Sequence, residues 1–225
     1  MVIKNKKRVA KLLWIIIFSP LAIILVGLLA VGLFADIPSF EELEDPKSNL
    51  ATQIISDNGT PINSFHIENR SYITFDQIPQ GVRDALVATE DVRFYKHSGI
   101  DLKSLARVAI KSFLMGNRNT GGGGSTLTQQ LAKTLFPRDT VKSRIPGAKF
   151  AVLAGNKLKE WITAVKIERN YAKDEILTMY LNTVFFGSNA YGIETAANTF
   201  FGKNTKDLKI EEGALLVGMV NLPTR

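Results

Sequence analysis

The chain has 225 residues, of which 45% are hydrophobic and 22% charged, and it contains two histidines and no cysteine. This length predicts one domain of fair size with short appendages and is too small for two large domains. The absence of cysteine excludes a disulfide framework, and two histidines are too few for a zinc site built by the protein itself.

The N-terminal part of the chain contains one long apolar segment. No charged side chain occurs in the 24 residues of segment 12–35. As a helix, this segment would be about 36 Å long, enough to cross a hydrocarbon core of about 30 Å. We therefore predict a transmembrane helix over residues 12–35. The alternative, a cleaved secretory signal, would have a shorter apolar region of about 7 to 15 residues.

The charges on either side of this segment indicate its orientation. Five cations and no acid precede it, and five acids follow it within ten residues. The positive-inside rule predicts a cytoplasmic tail over residues 1–11, a linker over 36–49 and an extracytoplasmic domain over 50–225, in a single-pass protein of the cytoplasmic membrane. Because the five cations account for most of the net charge of +7, we predict no nucleic-acid partner.

The residues after the linker predict a mainly α domain with one small β-hairpin. Two short runs, 51–56 and 62–67, flank an Asn58-Gly59 pair that favours a tight turn. From Pro79 onward apolar residues recur at helical spacing, and Asp101 has the position of a helix cap. The predicted helical faces comprise Val82 and Leu86; Leu102, Leu105, Ala106, Ala109 and Phe113; Leu158, Trp161, Ile162 and Val165; Ile176, Leu177, Tyr180 and Leu181; and residues 211–220.

The first segment of interest, residues 90–99, ends a predicted helix with Glu90 and Asp91 and turns through His97 and Gly99. By itself it predicts little. A solvated helix end, with His97 as a partner of the helix dipole, accounts for these residues as well as a functional site does.

The second segment begins with four glycines, residues 121–124, that lead into a predicted helix start. Thr126 and Gln129 have capping-box spacing, and free amides at a helix start attract phosphate. Gln130 and Lys133 follow on the same side, so an anion near the cap could also meet an ammonium group. A flexible linker is the alternative, but a linker does not need the glutamines and the lysine.

The third segment lies on the fourth predicted helix, which is expected to bury Leu158 and Trp161 and to place Glu160 on one flank. Lys157 lies one turn before Glu160. Lys and Glu three residues apart are common surface pairs that contribute a few tenths of a kcal/mol. An ordinary surface pair is therefore the alternative to a functional one.

Together and in this order, the segments resemble the motifs of the peptidoglycan glycosyltransferases of glycosyltransferase family 51, over residues 54–223. The first motif is matched by Glu90, Asp91, Phe94, His97 and Gly99, and the second by Gly123, Ser125, Thr126, Gln129, Gln130 and Lys133. The third is matched by Lys157 and Glu160, with Asn156 where arginine is usual. The chain is longer than is usual before this motif, and the candidates for a basic residue expected there are Arg138, Lys142 and Arg144.

The resemblance implies a lysozyme-like helical glycosyltransferase domain that polymerises lipid II for cell wall synthesis. Glu90 would be the general base on the acceptor's 4-hydroxyl, and undecaprenyl pyrophosphate would leave as a β-1,4 bond forms. Glu160 would orient cations or a divalent ion, Mg²⁺ or Mn²⁺, that arrives with the pyrophosphate rather than in a site built by the protein. The implied substrate-binding residues are Asp91, Phe94, His97, Gly99, Ser125, Thr126, Gln129, Gln130, Lys133 and Lys157.

General chemistry agrees with this assignment, because a departing pyrophosphate needs cations more than a proton. We expect the phosphates at Ser125 and Thr126, with Lys133 and Lys157 closing around them. A lysozyme or lytic transglycosylase is one rival, but glycan hydrolysis has no phosphate to stabilise. An inactive membrane-anchored scaffold is the other, which Asn156 keeps open. The expected partners are lipid II, the growing glycan strand, the lipid bilayer and unidentified cell-wall synthesis proteins.

Overall fold

The computed structural model describes residues 6–34, 37–38, 52–55, 61–65, 69–115, 123–138 and 148–220. The chain divides into two compact units, one of Met1–Ile37 with Arg138–Ile162 and one of Pro38–Pro137 with Thr163–Arg225. Most of the described residues are helical, which confirms the predicted mainly α class. The predicted linker 36–49 lies outside the described residues, apart from residues 37 and 38.

Eight helices and four strands are defined within the described residues. The helices are α1 Lys6–Phe34, α2 Gln80–Glu90, α3 Leu102–Met115, α4 Leu127–Leu135, α5 Ala148–Asn170, α6 Lys173–Thr183, α7 Ile193–Phe201 and α8 Ile210–Val220. The strands are β1 Thr52–Ile55, β2 Pro61–Phe65, β3 Asn69–Arg70 and β4 Ala190–Tyr191.

The first unit contains α1 and the part of α5 before Thr163. A Cβ on Gly27 would come within 2.9 Å of Leu158 Cδ1, so the missing side chain lets these two helices approach each other. Large apolar side chains of α1, such as Trp14 and Ile16, are exposed. Within the described ranges, no helix combines the length and the apolar character needed to cross a membrane.

The prediction of which face of α5 is buried is wrong. Glu160 is 6% exposed, whereas Leu158 and Trp161 are only half-buried. A carboxylate can occupy a buried position only if its charge is compensated. Two cations compensate Glu160, as described below, so the helix turns this residue inward instead of placing it on a flank.

Two short pairs of strands belong to the second unit. Strands β1 and β2 pair antiparallel, with an irregular register between Ile54 and Ile55. Residues 56–60, which hold the predicted turn, lie outside the described residues, so that turn stays a prediction. Strand β4 pairs parallel with β3.

The core of the second unit is formed mainly by α2, α4, α6, α7 and α8. Its buried side chains include Val82, Leu86, Leu127, Leu131, Ile176, Leu177, Tyr180, Leu181, Ile193, Ala196, Leu216 and Val217. This burial confirms the faces predicted for α2 and α6, and each fully buried aliphatic side chain contributes about 1.5–3 kcal/mol. Helices α2 and α8 approach closely at Gly213, where a Cβ would lie 2.6 Å from Val82 Cγ2.

Helix α3 begins as predicted but does not bury the predicted face. Asp101 Oδ1 accepts hydrogen bonds from the amides of Lys103 and Ser104 at 3.0 and 3.2 Å, which confirms the cap. Leu102 is 74% exposed, and Ala106 is also exposed. Periodicity identifies an apolar stripe, but it does not determine whether another element covers that stripe.

Candidate active site

Glu90 lies at the C-terminal end of α2, where it extends the buried face that contains Val82 and Leu86 by one turn. The side-chain amide of Gln130 donates to Glu90 Oε2 at 2.9 Å. The Gln130 carbonyl oxygen in turn accepts a hydrogen bond from the Tyr180 hydroxyl at 3.0 Å. These contacts link α2, α4 and α6 through one chain of hydrogen bonds. They bring together two predicted site residues and Tyr180, for which the sequence predicted a position on an apolar helix face but no role in the site.

A polar cavity of about 240 Å³ borders Glu90, and we call it the Glu90 cavity. Ser125 and Thr126 at the start of α4 line it, together with the cationic side chains of Arg93 and Arg107. The sequence did not single out either arginine, although Arg93 lies within the first motif and Arg107 between the first two motifs. Asp91 and Asp101 also line the cavity. It therefore combines three acidic residues with hydroxyl and guanidinium groups, which suits a polar substrate.

A second cavity of about 240 Å³, the Lys133 cavity, is lined by Gln130, Lys133, Tyr180, Phe185 and Tyr191. Lys133 is exposed and lies in the last turn of α4. The expectation grouped Lys133 with the start of α4, but the structure places the lysine and the helix start in two different cavities. Gln130 lines this second cavity and also contacts Glu90, which lines the first.

Asp91 and His97 are both buried and bind to each other. Asp91 Oδ2 lies 2.9 Å from His97 Nε2, and it also accepts a hydrogen bond from the Leu127 amide at 3.0 Å. The predicted alternative, a solvated helix end with His97 near the helix dipole, is wrong because both side chains are about 5% exposed. The pair instead fixes the first motif against the start of α4.

Gly99 is the second junction between these motifs. Its φ is +88°, and a Cβ there would lie 2.9 Å from the Ala164 carbonyl, so only glycine fits without strain. The Gly99 carbonyl oxygen accepts from the Thr126 hydroxyl at 2.7 Å and from the Gln129 side-chain amide at 3.0 Å. Thr126 also caps α4, because its hydroxyl oxygen accepts from the Gln129 backbone amide at 3.2 Å.

These contacts occupy two amides at the start of α4, next to Ser125 and Thr126, where the sequence placed the phosphate. The Leu127 amide bonds to Asp91 and the Gln129 amide bonds to Thr126. Thr126 is only 2% exposed, but it still borders the Glu90 cavity. The start of α4 is therefore held largely by protein groups.

Phe94 is completely buried and anchors a charged network that the sequence did not reveal. Lys173 Nζ lies 4.3 Å from the centre of the Phe94 ring and donates to the His97 carbonyl oxygen at 2.7 Å. Lys173 also pairs with Glu168 at 2.7 Å, and Glu168 accepts from the Thr128 hydroxyl at 2.6 Å. The only sequence signal for this network is a pair of opposite charges, Glu168 and Lys173, beside otherwise buried faces.

Asp101 also lines the Glu90 cavity, where it binds Arg93. Burial opposes its charged form, but hydrogen bonds from the Ser104 hydroxyl and amide, the charge of Arg93 and the Lys103 amide outweigh burial and lower the pKa of Asp101 to about 2. Arg93 Nε lies 2.9 Å from Asp101 Oδ2. Arg93 therefore has a fixed position at this cavity.

Glu160 lies in the first unit between two cations. Arg138 Nε is 2.6 Å from Oε1, and Lys157 Nζ is 3.0 Å from Oε2. The hydrogen bond to Glu160 raises the pKa of Arg138. Of the three basic candidates before the third motif, Arg138 thus contacts Glu160, whereas residues 142 and 144 lie outside the described residues. Asn156, at the position of the usual arginine, is 5% exposed.

The contacts of Glu160 bear on the two roles predicted for it, the orientation of cations and the binding of a divalent ion. Both carboxylate oxygens bind protein cations, which supports orientation of cations over coordination of a divalent ion. In the described part of the chain, no three His, Cys, Asp or Glu side chains are arranged to hold a metal ion.

A mainly helical domain with a carboxylate beside a polar cavity that holds two arginines has the features of an enzyme active site. The family model described as transglycosylase matches residues 58–225. The chain belongs to this family, glycosyltransferase family 51.

Several relatives support this membership. Penicillin-binding protein 1F of Bacillus subtilis (strain 168) is 41% identical over 175 residues, which are 77% of this chain and 22% of that protein. Penicillin-binding protein 1A of Aquifex aeolicus is 38% identical over 196 residues, 84% of this chain and 25% of the relative. Penicillin-binding protein 1A of Pseudomonas aeruginosa is 35% identical over 221 residues, 97% and 25% of the two chains. The chain therefore spans about a quarter of the length of these relatives.

Proposed function

We propose that this chain is a peptidoglycan glycosyltransferase with a lysozyme-like domain, which polymerises lipid II into β-1,4 glycan strands and releases undecaprenyl pyrophosphate. Membership of the transglycosylase family supports the reaction class. The observation that carries the assignment of the site is the Glu90 carboxylate, held by Gln130 at 2.9 Å beside a polar cavity.

In the proposed mechanism, Glu90 takes the proton of the acceptor's 4-hydroxyl as that oxygen attacks the anomeric carbon of the donor. The C–O bond to the pyrophosphate breaks on the opposite face, so the configuration inverts. The electron pair leaves with the pyrophosphate, which needs positive charge and not a proton. Lys133, exposed in its cavity, is the cation that we assign to this leaving group in the second unit.

The remaining site residues divide into two groups by their contacts. Asp91, Phe94, His97, Gly99, Thr126 and Gln129 bond to or pack against other protein groups, so we assign them the positioning of Glu90 and of the start of α4. Ser125, with Arg107, borders the Glu90 cavity and is assigned to direct substrate binding. In the first unit, Glu160 orients Arg138 and Lys157.

A divalent ion, Mg²⁺ or Mn²⁺, is proposed to enter only as a counterion of the pyrophosphate. The donor set fits no protein-built site, because both oxygens of Glu160 already bind cations. Its contribution would be charge neutralisation of the leaving group. Titration of EDTA against polymerisation, followed by Mg²⁺ or Mn²⁺ addition, measures this contribution.

We also propose that residues 12–35 anchor the chain in the cytoplasmic membrane with the domain outside. This rests on the uncharged sequence of the segment and its flanking charges. Exposed apolar side chains on α3, Leu102 and Ile110, are consistent with a domain that works at a lipid surface. Protease added to intact spheroplasts should digest the domain, and its complete protection would reverse the proposed orientation.

Incubation of the full chain with lipid II tests the function directly. Polymerisation lengthens glycan strands and releases undecaprenyl pyrophosphate. If the chain instead shortens added glycan strands, the rival glycan-cleaving function is correct. If lipid II and strands are both unchanged while the protein is folded, the chain is an inactive scaffold.

A further inference from the structure

Tyr180 carries a buried hydroxyl whose contact connects it to the proposed base. The residue is 1% exposed, and its hydroxyl donates to the Gln130 carbonyl oxygen at 3.0 Å. Gln130 then donates from its NH₂ group to Glu90 at 2.9 Å. A phenylalanine would fill the same volume, so packing alone does not account for the hydroxyl at this position.

The orientation of the Gln130 amide is what this chain of hydrogen bonds determines. A glutamine side chain presents a carbonyl oxygen on one side and an NH₂ group on the other. If the amide of Gln130 turned over, its carbonyl oxygen would face the Glu90 carboxylate, and the proton of the Tyr180 hydroxyl would lose its acceptor. A buried donor without an acceptor is costly, so the hydroxyl favours the orientation that donates to Glu90.

We propose that Tyr180 is a positioning residue for catalysis, which acts by holding the Gln130 amide so that its NH₂ group faces the Glu90 carboxylate. The proposal rests on the proposed function of Glu90 as the base. It gives Tyr180 a role at the moment of proton transfer. After Glu90 has taken the acceptor's proton, a Gln130 amide that is not held could turn over and accept a hydrogen bond from the protonated carboxyl through its carbonyl oxygen. This contact would stabilise Glu90 in its protonated form and delay the return of the base.

The ionisation of Tyr180 supports this role. Burial, followed by the charge of Glu90, raises the pKa of the Tyr180 hydroxyl well above its ordinary value. The phenol therefore keeps its proton over the whole range in which the enzyme would work. It is consequently a permanent donor, and the Gln130 carbonyl oxygen stays bound to it.

The kinetic test compares Tyr180→Phe with Tyr72→Phe, the same change at an exposed tyrosine. We expect Tyr180→Phe to lower kcat for lipid II polymerisation about tenfold, as for loss of one hydrogen bond in a network, with KM changed less than twofold. Tyr72→Phe should leave both constants unchanged. A kcat within twofold of the wild-type value, or an equal rise in KM, would overturn the proposal.

A second measurement does not depend on activity and separates this proposal from the proposed function. In the wild-type chain, the Gln130 side-chain NH₂ protons should exchange slowly with solvent. Tyr180→Phe should shift their NMR signals and speed this exchange, and thermal unfolding should confirm that the variant remains folded. Unchanged amide signals would overturn the relay. If Tyr180→Phe alters these signals but the wild-type chain does not polymerise lipid II, the hydrogen bonds from Tyr180 through Gln130 to Glu90 are supported and the proposed role in catalysis is rejected.

Discussion

Glu90 in the second unit and Glu160 in the first are both glutamates, but their carboxylates bind different groups. One oxygen of Glu90 accepts a hydrogen bond from a neutral amide, that of Gln130. Both oxygens of Glu160 bind cations, one from Arg138 and one from Lys157. Glu160 thus has a cationic side chain on each of its two oxygens. We infer that Glu160 orients those cations, whereas Glu90 borders the cavity and is the proposed base.

The largest expected effect comes from replacing the carboxylate of the proposed base, Glu90. Glu90→Gln keeps the shape of the side chain but cannot take the acceptor's proton, so polymerisation should fall about 10²- to 10⁴-fold. Thermal unfolding should be nearly unchanged. The matched control is Glu211→Gln, at an exposed position of α8, which should retain full activity. Near-normal polymerisation by Glu90→Gln would end the assignment of the base.

A smaller loss is expected from the exposed cation of the second unit. Lys133→Ala should lower kcat about 10²-fold and change KM less, because the leaving group gains charge only in the transition state. Lys133→Arg should restore part of the rate, since it restores charge but not geometry. Lys206→Ala, at an exposed position, serves as the control.

An inhibitor gives a second readout for Lys133. Phosphoglycolipid inhibitors of the family carry a phosphate, and Lys133→Ala should weaken their binding along with the rate. If this variant polymerises lipid II normally and binds the inhibitor unchanged, the pyrophosphate binds elsewhere. The basic segment 138–144 would then be the next candidate.

The cationic environment of Glu160 predicts coupling and a still smaller loss. Glu160→Gln and Arg138→Ala should each lower polymerisation about tenfold, as for one hydrogen bond to a charged group. The double variant should be no worse than either single one, because the two residues act as one unit. Multiplied losses in the double variant would show that Arg138 and Glu160 act separately. Full activity in Glu160→Gln would show that Glu160 forms only an ordinary ion pair without a role in the reaction.

The motifs predicted which residues matter better than they predicted what those residues contact. Glu90 and Gln130 were both identified, but the bond between them joins positions 40 residues apart. The bond from Tyr180 to Gln130 joins positions 50 residues apart, and both distances are beyond the reach of helical spacing. Helical spacing correctly placed Tyr180 in the core, because burial depends on the ring. The partner of its hydroxyl depends on how α4 and α6 pack, which no local pattern contains.

Glu160 illustrates the opposite failure. A Lys-x-x-Glu spacing usually indicates an exposed pair, so the sequence placed Glu160 on a flank. Arg138 is 22 residues away and supplies the second cation that makes burial tolerable. The fold of the first unit, and not the spacing within α5, decides this position.

Asp101 provides the smallest effect and extends the comparison to an acid that serves structure alone. Its pKa is about 2 in the folded chain, below the ordinary value of 3.8, so the folded state favours the charged form. Its contribution to the free energy of unfolding is therefore fully present above about pH 4 and is lost as pH falls towards 2. Asp101→Asn should be less stable than the wild type at pH 6, and this difference should shrink as the pH falls from 4 to 2. Denaturant unfolding of both chains measures the difference, with Asp76→Asn at an exposed position as the control. A difference that stayed constant or grew in acid would show that Asp101 stabilises the Glu90 cavity through its shape and not through its charge.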